Sequence, residues 1–390
     1  MNLQPFFKLM AERNASDLFL SANSPIVIKI QGACYPVNNQ VLSGEHVKQL
    51  VYQLLSPERI AAFERDMELN MGYEIPGVGN YRINIFRSRG AVAMVVRYIR
   101  ADLPTIEELR MPETLKTLIM EKRGIVLLVG ATGSGKSSTV SAMLEYRNQN
   151  HNGHILTVED PVEFIYTHKK SLVNQREIGV DTKSYSEALK NAMREAPNVL
   201  MIGEIRDRET MSYALQYALA GHLCISTLHA NNSYHSLSRI VNFFPLEARE
   251  SLLYDLSNSL KAVVSQRLVR GKAGKLIPAV EVMLNTSYIA ELIRNGELSK
   301  IKEAMEQTLS EGSQTFEQAL YRLYRDGEIE LDEALRNADS ATNLSWMINN
   351  AQTIEEREQV VRDKNASSQT NKKAGDDQDG GNLMFDMSLH

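Results

Sequence analysis

The spacing of apolar and polar positions changes near residue 122 of the chain. Before that point, an amphipathic segment from Leu3 to Arg13 predicts a first helix, and short runs of alternating apolar and polar residues predict strands. Turns rich in glycine, proline and asparagine separate those runs, and a longer helical pattern spans roughly Ser43 to Met67. After residue 122, fully apolar runs alternate with helical segments, which is typical of a parallel sheet covered by helices.

These two patterns predict two domains of different kinds. We expect a small α+β domain over residues 1–100, a linker over 101–121 and an α/β domain over 122–345. The polar tail over 346–390 has the composition of a disordered segment, and its apolar island Leu383–Met387 is either idle or a docking peptide. Strands are predicted at 25–30, 33–37, 71–75, 81–87, 92–99, 125–129, 154–158, 198–203 and 222–227, with a strand pair near 267–284.

Composition and charge exclude several classes of protein. A chain of 390 residues that is 43% hydrophobic can bury a sizeable core. Its net charge of −5 provides no general attraction to nucleic acid. Cys34 and Cys224 are far apart, so neither a disulfide framework nor a cysteine zinc site is expected. Because the chain begins without the pattern of a signal peptide and has no long apolar stretch, we expect a cytoplasmic protein without direct membrane insertion.

A glycine-rich loop follows the first apolar run of the α/β segment. Gly124–Val129 leads into the loop Gly130–Ser137, and a helical pattern begins directly after it. This order of strand, loop and helix predicts a P-loop, in which backbone N–H groups surround the phosphates of a nucleotide. Lys136 would reach the β- and γ-phosphates, and the hydroxyl of Ser137 would bind Mg²⁺. The predicted nucleotide-binding residues are Gly130, Ala131, Thr132, Gly133, Ser134, Gly135, Lys136, Ser137 and Ser138.

Carboxylates follow two other predicted strands and are candidates for hydrolysis of the nucleotide. In an open α/β sheet the ligand lies at the carboxyl ends of the strands, so these side chains would face the γ-phosphate. Glu204 is predicted to act on Mg²⁺ through water, and Glu163 is predicted to be the general base. Glu159 is a further candidate for the metal site, together with Ser137 and Glu204. The alternative for each of these glutamates is a helix cap or a solvated loop charge.

Two histidines flank the apolar strand predicted at 222–227. His222 and His229 could sense the γ-phosphate and pass that signal to a neighbouring subunit, although a histidine in such a position is more often simply packed. We treat both as candidate catalytic residues.

Taken together, these motifs resemble the secretion ATPase superfamily, and within it the retraction motors of type IV pili, the PilT/PilU group. The resemblance covers residues 1–345. The segment Ala15–Ser21 is similar to part of the N-terminal PAS-like domain of that family. Four motifs carry the resemblance. Gly130–Ser137 is similar to the Walker A loop and Glu159–Phe164 to the aspartate box. Leu200–Glu204 is similar to the Walker B strand and Gly221–His229 to the histidine box.

This resemblance implies a RecA-like P-loop ATPase domain with a smaller PAS-like α+β domain, assembled into a homo-hexameric ring. ATP and Mg²⁺ are the implied cofactors. Arginines of the N-terminal domain reach the phosphates in this family, and the matching strands point to Arg82 and Arg97. The alternative for each arginine is a solvated strand face.

The resemblance also implies the task of the motor. Extension and secretion ATPases usually carry an extra N-terminal domain and a four-cysteine zinc insertion, and neither pattern is found here, which favours a retraction motor for twitching motility. The long tail and Glu195 favour the PilU branch, which implies an auxiliary role beside a PilT-type ATPase. The other implied partner is the inner-membrane platform protein of the pilus machine at the cell pole. A nucleic-acid translocase or DNA-uptake ATPase and a non-catalytic ring adaptor remain as alternatives.

Overall fold

The computed structural model describes residues 2–30, 32–99, 103–307 and 310–350 of the chain. Within these ranges the chain forms two sheets, each packed against helices. The predicted α/β fold class is confirmed, with an antiparallel N-terminal sheet followed by a larger, mainly parallel sheet. The predicted tail lies outside the described residues from position 351 onward, and helix Ala341–Asn349 extends past the position where we expected disorder to begin.

The N-terminal sheet brings Arg82 and Arg97 side by side. Its strands are β1 (Asp17–Leu20), β2 (Val27–Ile30), β3 (Ala33–Pro36), β4 (Glu68–Ile75), β5 (Gly79–Ser88) and β6 (Ala91–Ile99). Their order is β3-β2-β1-β6-β5-β4, and each neighbouring pair is antiparallel. The register pairs Arg82 with Arg97 and Arg97 with Asp17, so these three residues lie on one face of the sheet.

Three helices bury the apolar side of this sheet. They are α1 (Gln4–Glu12), α2 (Gly44–Tyr52) and α3 (Pro57–Asp66). The single helix predicted from Ser43 to Met67 is wrong, because the chain forms two helices there. Ser56 accepts a hydrogen bond from the backbone N–H of Arg59 and Pro57 occupies the first turn, a combination that starts a new helix.

The second sheet places the predicted site at one edge. Its strands are β7 (Gly124–Val129), β8 (Gly153–Glu159), β9 (Ser171–Glu177), β10 (Val199–Ile202), β11 (Leu223–Leu228), β12 (Leu260–Arg270) and β13 (Leu276–Leu284). Their order is β13-β12-β7-β11-β10-β8-β9, and only the pair β12/β13 is antiparallel among the strands described. The carboxyl ends of β7, β8, β10 and β11 therefore meet along one edge.

Helices pack on both faces of this sheet. They are α4 (Thr114–Met120), α5 (Lys136–Asn150), α6 (Tyr185–Ala192), α7 (Arg208–Leu219), α8 (Ser233–Asn242), α9 (Arg249–Ser259), α10 (Ser287–Arg294), α11 (Ile301–Gln307), α12 (Phe316–Arg325), α13 (Leu331–Asn337) and α14 (Ala341–Asn349). Helices α12–α14 form a separate core against β12 and β13, in which Phe316, Leu320 and Leu344 are fully buried. No helix in the described ranges combines the length and the apolarity that crossing a bilayer would require.

The two cysteines differ completely in exposure. Cys34 lies on the exposed edge strand β3, and Cys224 is buried near the start of β11. Both are free thiols. Burial raises the pKa of the Cys224 thiol to about 12, so that thiol stays protonated at neutral pH.

Candidate nucleotide-binding site

A cavity of about 580 Å³ lies where the parallel strands end. The P-loop forms one wall, and the segments that follow β8, β10 and β11 form the others. Ten of the predicted site residues line it, and they are Thr132, Gly133, Gly135, Lys136, Ser137, Ser138, Glu159, Glu163, Glu204 and His229. The structure thus collects residues that are separated by up to 97 positions in the sequence, from Thr132 to His229, around one space.

The glycines of the loop are required by its geometry. Gly133 and Gly135 adopt φ angles of 79° and 90°, in the left-handed region that a side chain disfavours. A Cβ on Gly130 would lie 2.5 Å from Ser134 Oγ and 2.6 Å from the carbonyl oxygen of Gln266. Gly130, Ala131 and Ser134 do not line the cavity, and we assign them to shaping the loop.

Two polar groups of the loop are without a strong partner, and one of them, the ammonium of Lys136, lines the cavity that a phosphate-bearing ligand would fill. Ser134 Oγ is buried and has no hydrogen-bond partner within the described part of the chain. The ammonium of Lys136 donates only to carbonyls of its own loop, at 2.9 Å to Gly130 and 2.8 Å to Ala131. Burial lowers the pKa of Lys136, and the charges of Glu204 and Glu163 oppose that shift. A polyphosphate would provide Lys136 with stronger acceptors than neutral carbonyls.

Both carboxylate oxygens of Glu204 have a partner in the cavity. It follows β10, and its side chain is 14% exposed. Arg206 Nε donates to Glu204 Oε2 at 2.7 Å, and His229 Nε2 lies 3.2 Å from Glu204 Oε1. These contacts restrain the carboxylate in a cavity that the P-loop also lines.

Glu159 and Glu163 have different surroundings although they belong to one segment. Glu159 is 7% exposed and accepts hydrogen bonds from Thr157 Oγ1 at 2.6 Å and from Gln175 Nε2 at 3.3 Å. Burial raises the pKa of Glu159, so this carboxyl is protonated more readily than a solvated one. Glu163 is exposed at the mouth of the cavity. Of the two, Glu163 is the one in contact with solvent.

Neither candidate arginine lines the cavity. Arg82 Nη2 reaches across to the second sheet, where it donates to Glu177 Oε2 at 2.6 Å and to the carbonyl oxygen of Val162 at 3.2 Å. It therefore contacts the segment that carries Glu163. Arg97 donates to Asp17 Oδ1 at 2.9 Å and its side chain is 64% exposed.

The expectation that both histidines lie near one site is not met within a single chain. His229 follows the carboxyl end of β11, but His222 precedes its amino end. A strand of this length separates them by about 20 Å, since each residue advances the chain by about 3.3 Å. The ring of His222 packs instead against Tyr217, with centroids 6.0 Å apart.

Comparison with a family model decides the affiliation of the chain. The model described as type II/IV secretion system protein matches residues 82–377, which is more than half of the chain. The chain belongs to this secretion system family. Within it, the chain belongs to the type IV pilus ATPases of the PilT/PilU group, as the following relatives show.

Curated relatives of this secretion ATPase match nearly its whole length. It is 46% identical over 349 residues to the type IV pilus ATPase PilU of Pseudomonas aeruginosa, covering 89% of this chain and 91% of the relative. It is 38% identical over 344 residues to the type IV pilus retraction ATPase PilT of the same organism, covering 88% and 100%. A crystal structure of the pilus retraction motor PilT with bound ADP superposes with a TM-score of 0.83, at 36% identity, covering 89% and 100%.

Sequence reasoning missed three residues of this secretion ATPase that support the site. Arg206 holds Glu204, Glu177 holds Arg82 and the backbone N–H of Val162, and Gln266 lies beneath the P-loop. The Oε1 of Gln266 accepts a hydrogen bond from Thr139 Oγ1 at 2.8 Å. The polar run Ser265–Arg267 within β12 was the available signal for the last of these.

Proposed function

We propose that this chain is the ATP-hydrolysing motor of type IV pilus retraction, working as an auxiliary to a PilT-type ATPase. The proposal rests on 46% identity to PilU along almost the full chain, together with a cavity that unites Lys136, Glu163 and Glu204. The relatives are named as ATPases and one was solved with ADP, so nucleotide chemistry is the activity expected of the cavity.

The residues of the cavity divide the work of hydrolysis among them. Lys136 would leave the carbonyls of Gly130 and Ala131 and bind the β- and γ-phosphates. Ser137 and Glu204 would hold Mg²⁺, which when bound neutralises charge on the phosphates. Glu163 would accept the proton of a water whose oxygen attacks the γ-phosphorus, while the bond to the bridging oxygen breaks. The products would be ADP and inorganic phosphate.

The assembly we propose is a homo-hexameric ring in which the N-terminal sheet helps to complete each site. Arg82 and Arg97 lie side by side on that sheet, and Arg82 already contacts the segment of Glu163. Closing of the two sheets around a nucleotide would convert binding into movement. We place the ring in the cytoplasm, at the inner-membrane pilus machine of the cell pole, against the platform protein.

The proposal is tested by combining enzymology with pilus retraction in cells. The purified chain should hydrolyse ATP with Mg²⁺, lose that activity with excess EDTA, and lose it in the Glu204→Gln variant. Cells without the chain should extend pili but retract them with less force. Normal retraction under every load would contradict the motor role, and strong stimulation of hydrolysis by DNA would favour a nucleic-acid translocase. Full function of the Glu204→Gln variant in cells would favour an adaptor.

A further inference from the structure

The ion pair of Arg267 and Asp339 joins the nucleotide cavity to the C-terminal helices. Arg267 belongs to β12, and its Nη2 donates to Asp339 Oδ1 in the turn between α13 and α14. Its Nη1 donates to the carbonyl oxygen of Asn337, and its guanidinium lies 3.9 Å from the ring centroid of Phe316. One side chain thus contacts α12, the end of α13 and the turn that leads into α14. Both charged side chains are largely shielded from solvent, at 21% and 10% exposure.

The same pair also holds the loop that carries His229. Arg267 Nη2 donates to the carbonyl oxygen of Asn231 at 3.0 Å, and Asn232 Nδ2 donates to Asp339 Oδ2 at 2.7 Å. Asn232 is 1% exposed, and its Oδ1 caps α8 by accepting the N–H of His235. The loop from His229 to Asn232 is therefore fixed at one end by the contact of His229 with Glu204 and at the other by Asp339.

A second set of contacts runs from the P-loop to the same pair. Gln266 precedes Arg267 in β12, and consecutive residues of a strand face opposite sides of the sheet. On its side, Gln266 accepts the hydrogen bond of Thr139, and its Nε2 lies 2.8 Å from where a Cβ on Gly135 would stand. On the other side, Arg267 holds the helices. The P-loop and the loop that carries His229 are thus both connected to one ion pair that is largely shielded from solvent.

We propose that Asp339 is a positioning residue, which sets the geometry of the His229–Glu204 contact and transmits occupancy of the cavity to α12–α14. This inference rests on the proposed ATPase activity and deepens it. A bound nucleotide that moves the P-loop shifts β12, and one that moves Glu204 shifts the loop 229–232. The charge-assisted contacts of Asp339 transmit either shift to the helices.

The decisive variants reverse the donor and the acceptor of the hydrogen bond between Asn232 and Asp339. In Asp339→Asn, the amide oxygen of the new side chain can still accept a hydrogen bond from Arg267. Its amide nitrogen would then face the amide nitrogen of Asn232. Because both groups are donors, the hydrogen bond between residues 232 and 339 is lost. Adding Asn232→Asp restores a donor opposite an acceptor and retains the cap of α8. A second single variant, Asn232→Ser, keeps a capping residue but removes the amide group that donates to Asp339. It replaces Asp339→Asn if that variant does not fold.

The matched control breaks an ion pair between α11 and α12 that has no contact with the loop 229–232 in the described part of the chain. Lys302 of α11 pairs with the buried Glu317 of α12 at 2.9 Å. The Lys302→Met variant should lower the melting temperature but leave kcat close to that of the unchanged chain. Asp339→Asn should lower kcat roughly three- to thirty-fold with a smaller change in KM for ATP. The double variant with Asn232→Asp should recover most of that loss.

Fluorescence provides a reading that does not depend on hydrolysis. Trp346 is the single tryptophan of the chain and lies exposed on α14, seven positions after Asp339. Addition of ADP should change its emission in the unchanged chain, and this change should be reduced in Asp339→Asn and recovered in the double variant. The positioning role would be overturned if ADP left the emission of the unchanged chain unaltered, or if Asp339→Asn had the same kcat as the unchanged chain. It would also be overturned if Lys302→Met lost as much kcat as Asp339→Asn. Failure of the unchanged chain to hydrolyse ATP would instead refute the proposed function, while the ADP titration would still decide the coupling.

Discussion

Glu177 of the parallel sheet binds Arg82 of the N-terminal sheet, with 2.6 Å between Oε2 and Nη2. The same oxygen accepts the backbone N–H of Val162 at 3.0 Å. One carboxylate therefore connects the N-terminal sheet to the segment that places Glu163. Both charged side chains are about 15% exposed, so solvent screens their interaction only partly.

We predict that Glu177→Gln lowers kcat by roughly three- to tenfold, because the loop from Asp160 to Glu163 loses a charge-assisted contact. Arg82→Ala should lower it further if Arg82 also reaches the phosphates. Steady-state kinetics of both single variants and of the double variant provide the measurement. If the two effects simply add, then the residues act independently and the contact has no role in hydrolysis.

Glycine positions of the P-loop should differ in their tolerance to alanine. Gly130→Ala places a methyl group 2.6 Å from a backbone oxygen of Gln266, which cannot yield, so we expect a loss of about 1–3 kcal/mol in the free energy of unfolding. Gly133→Ala meets no atom within 4 Å and bears only the strain of its positive φ, about 1 kcal/mol. Urea unfolding without nucleotide compares them. Equal losses would show that the space around Gly130 is not restrictive.

The glutamate that ends β8, Glu159, and the one that follows it, Glu163, should have different importance for the reaction. Glu163→Gln removes the proposed base, so kcat should fall by about 10²–10⁴-fold while ATP binding is retained. Glu159→Gln should have a much smaller effect, since burial already favours the protonated form of this carboxyl. Single-turnover rates and nucleotide affinity separate chemistry from binding. A larger loss in Glu159→Gln would assign the base to Glu159 instead.

Stability should fall with rising pH because of Glu281. This carboxyl is 3% exposed on β13, and burial is the main cause that raises its pKa to about 7, against hydrogen bonds from Ser233. Between pH 4.5 and 7 the folded chain holds the proton that the unfolded chain releases, so the free energy of unfolding decreases with pH. Glu281→Gln keeps an acceptor for the N–H of Ser233 and should lose this dependence.

Urea unfolding at pH 5, 6, 7 and 8 compares the unchanged chain with Glu281→Gln. The difference between the two should grow in favour of glutamine up to about pH 7 and then remain constant. A difference that is the same at every pH would mean that Glu281 is not protonated in the folded chain.

Local signals in the sequence were sufficient for the P-loop and for most strands of both sheets. The loop Gly130–Ser137 could be predicted because its chemistry depends on neighbouring residues and on one strand before it. Strand β9 was missed because it is an edge strand, with Leu172 exposed and only β8 beside it, so its sequence lacks an apolar run. Strand β12 begins earlier than predicted, since no glycine or proline separates it from α9.

Contacts between distant elements could not be predicted in the same way. Arg82 was selected from its strand, but its partner Glu177 is 95 positions away and depends on how the two sheets pack. His222 was grouped with His229 because both adjoin one strand, and only the direction of β11 shows that they lie at opposite ends. Asp339 carried no signal, because its role arises from Arg267 and Asn232 in three dimensions.

Because Cys34 is exposed and Cys224 is buried, the chain can be labelled with a dye at one position without changing a cysteine. A maleimide dye requires an accessible thiolate, and Cys34 alone meets that condition, since Cys224 is enclosed in β11. One dye would therefore mark the edge of the N-terminal sheet on every molecule. Energy transfer from Trp346 to a suitable acceptor at that edge would report the distance between α14 and the N-terminal sheet while nucleotide is turned over.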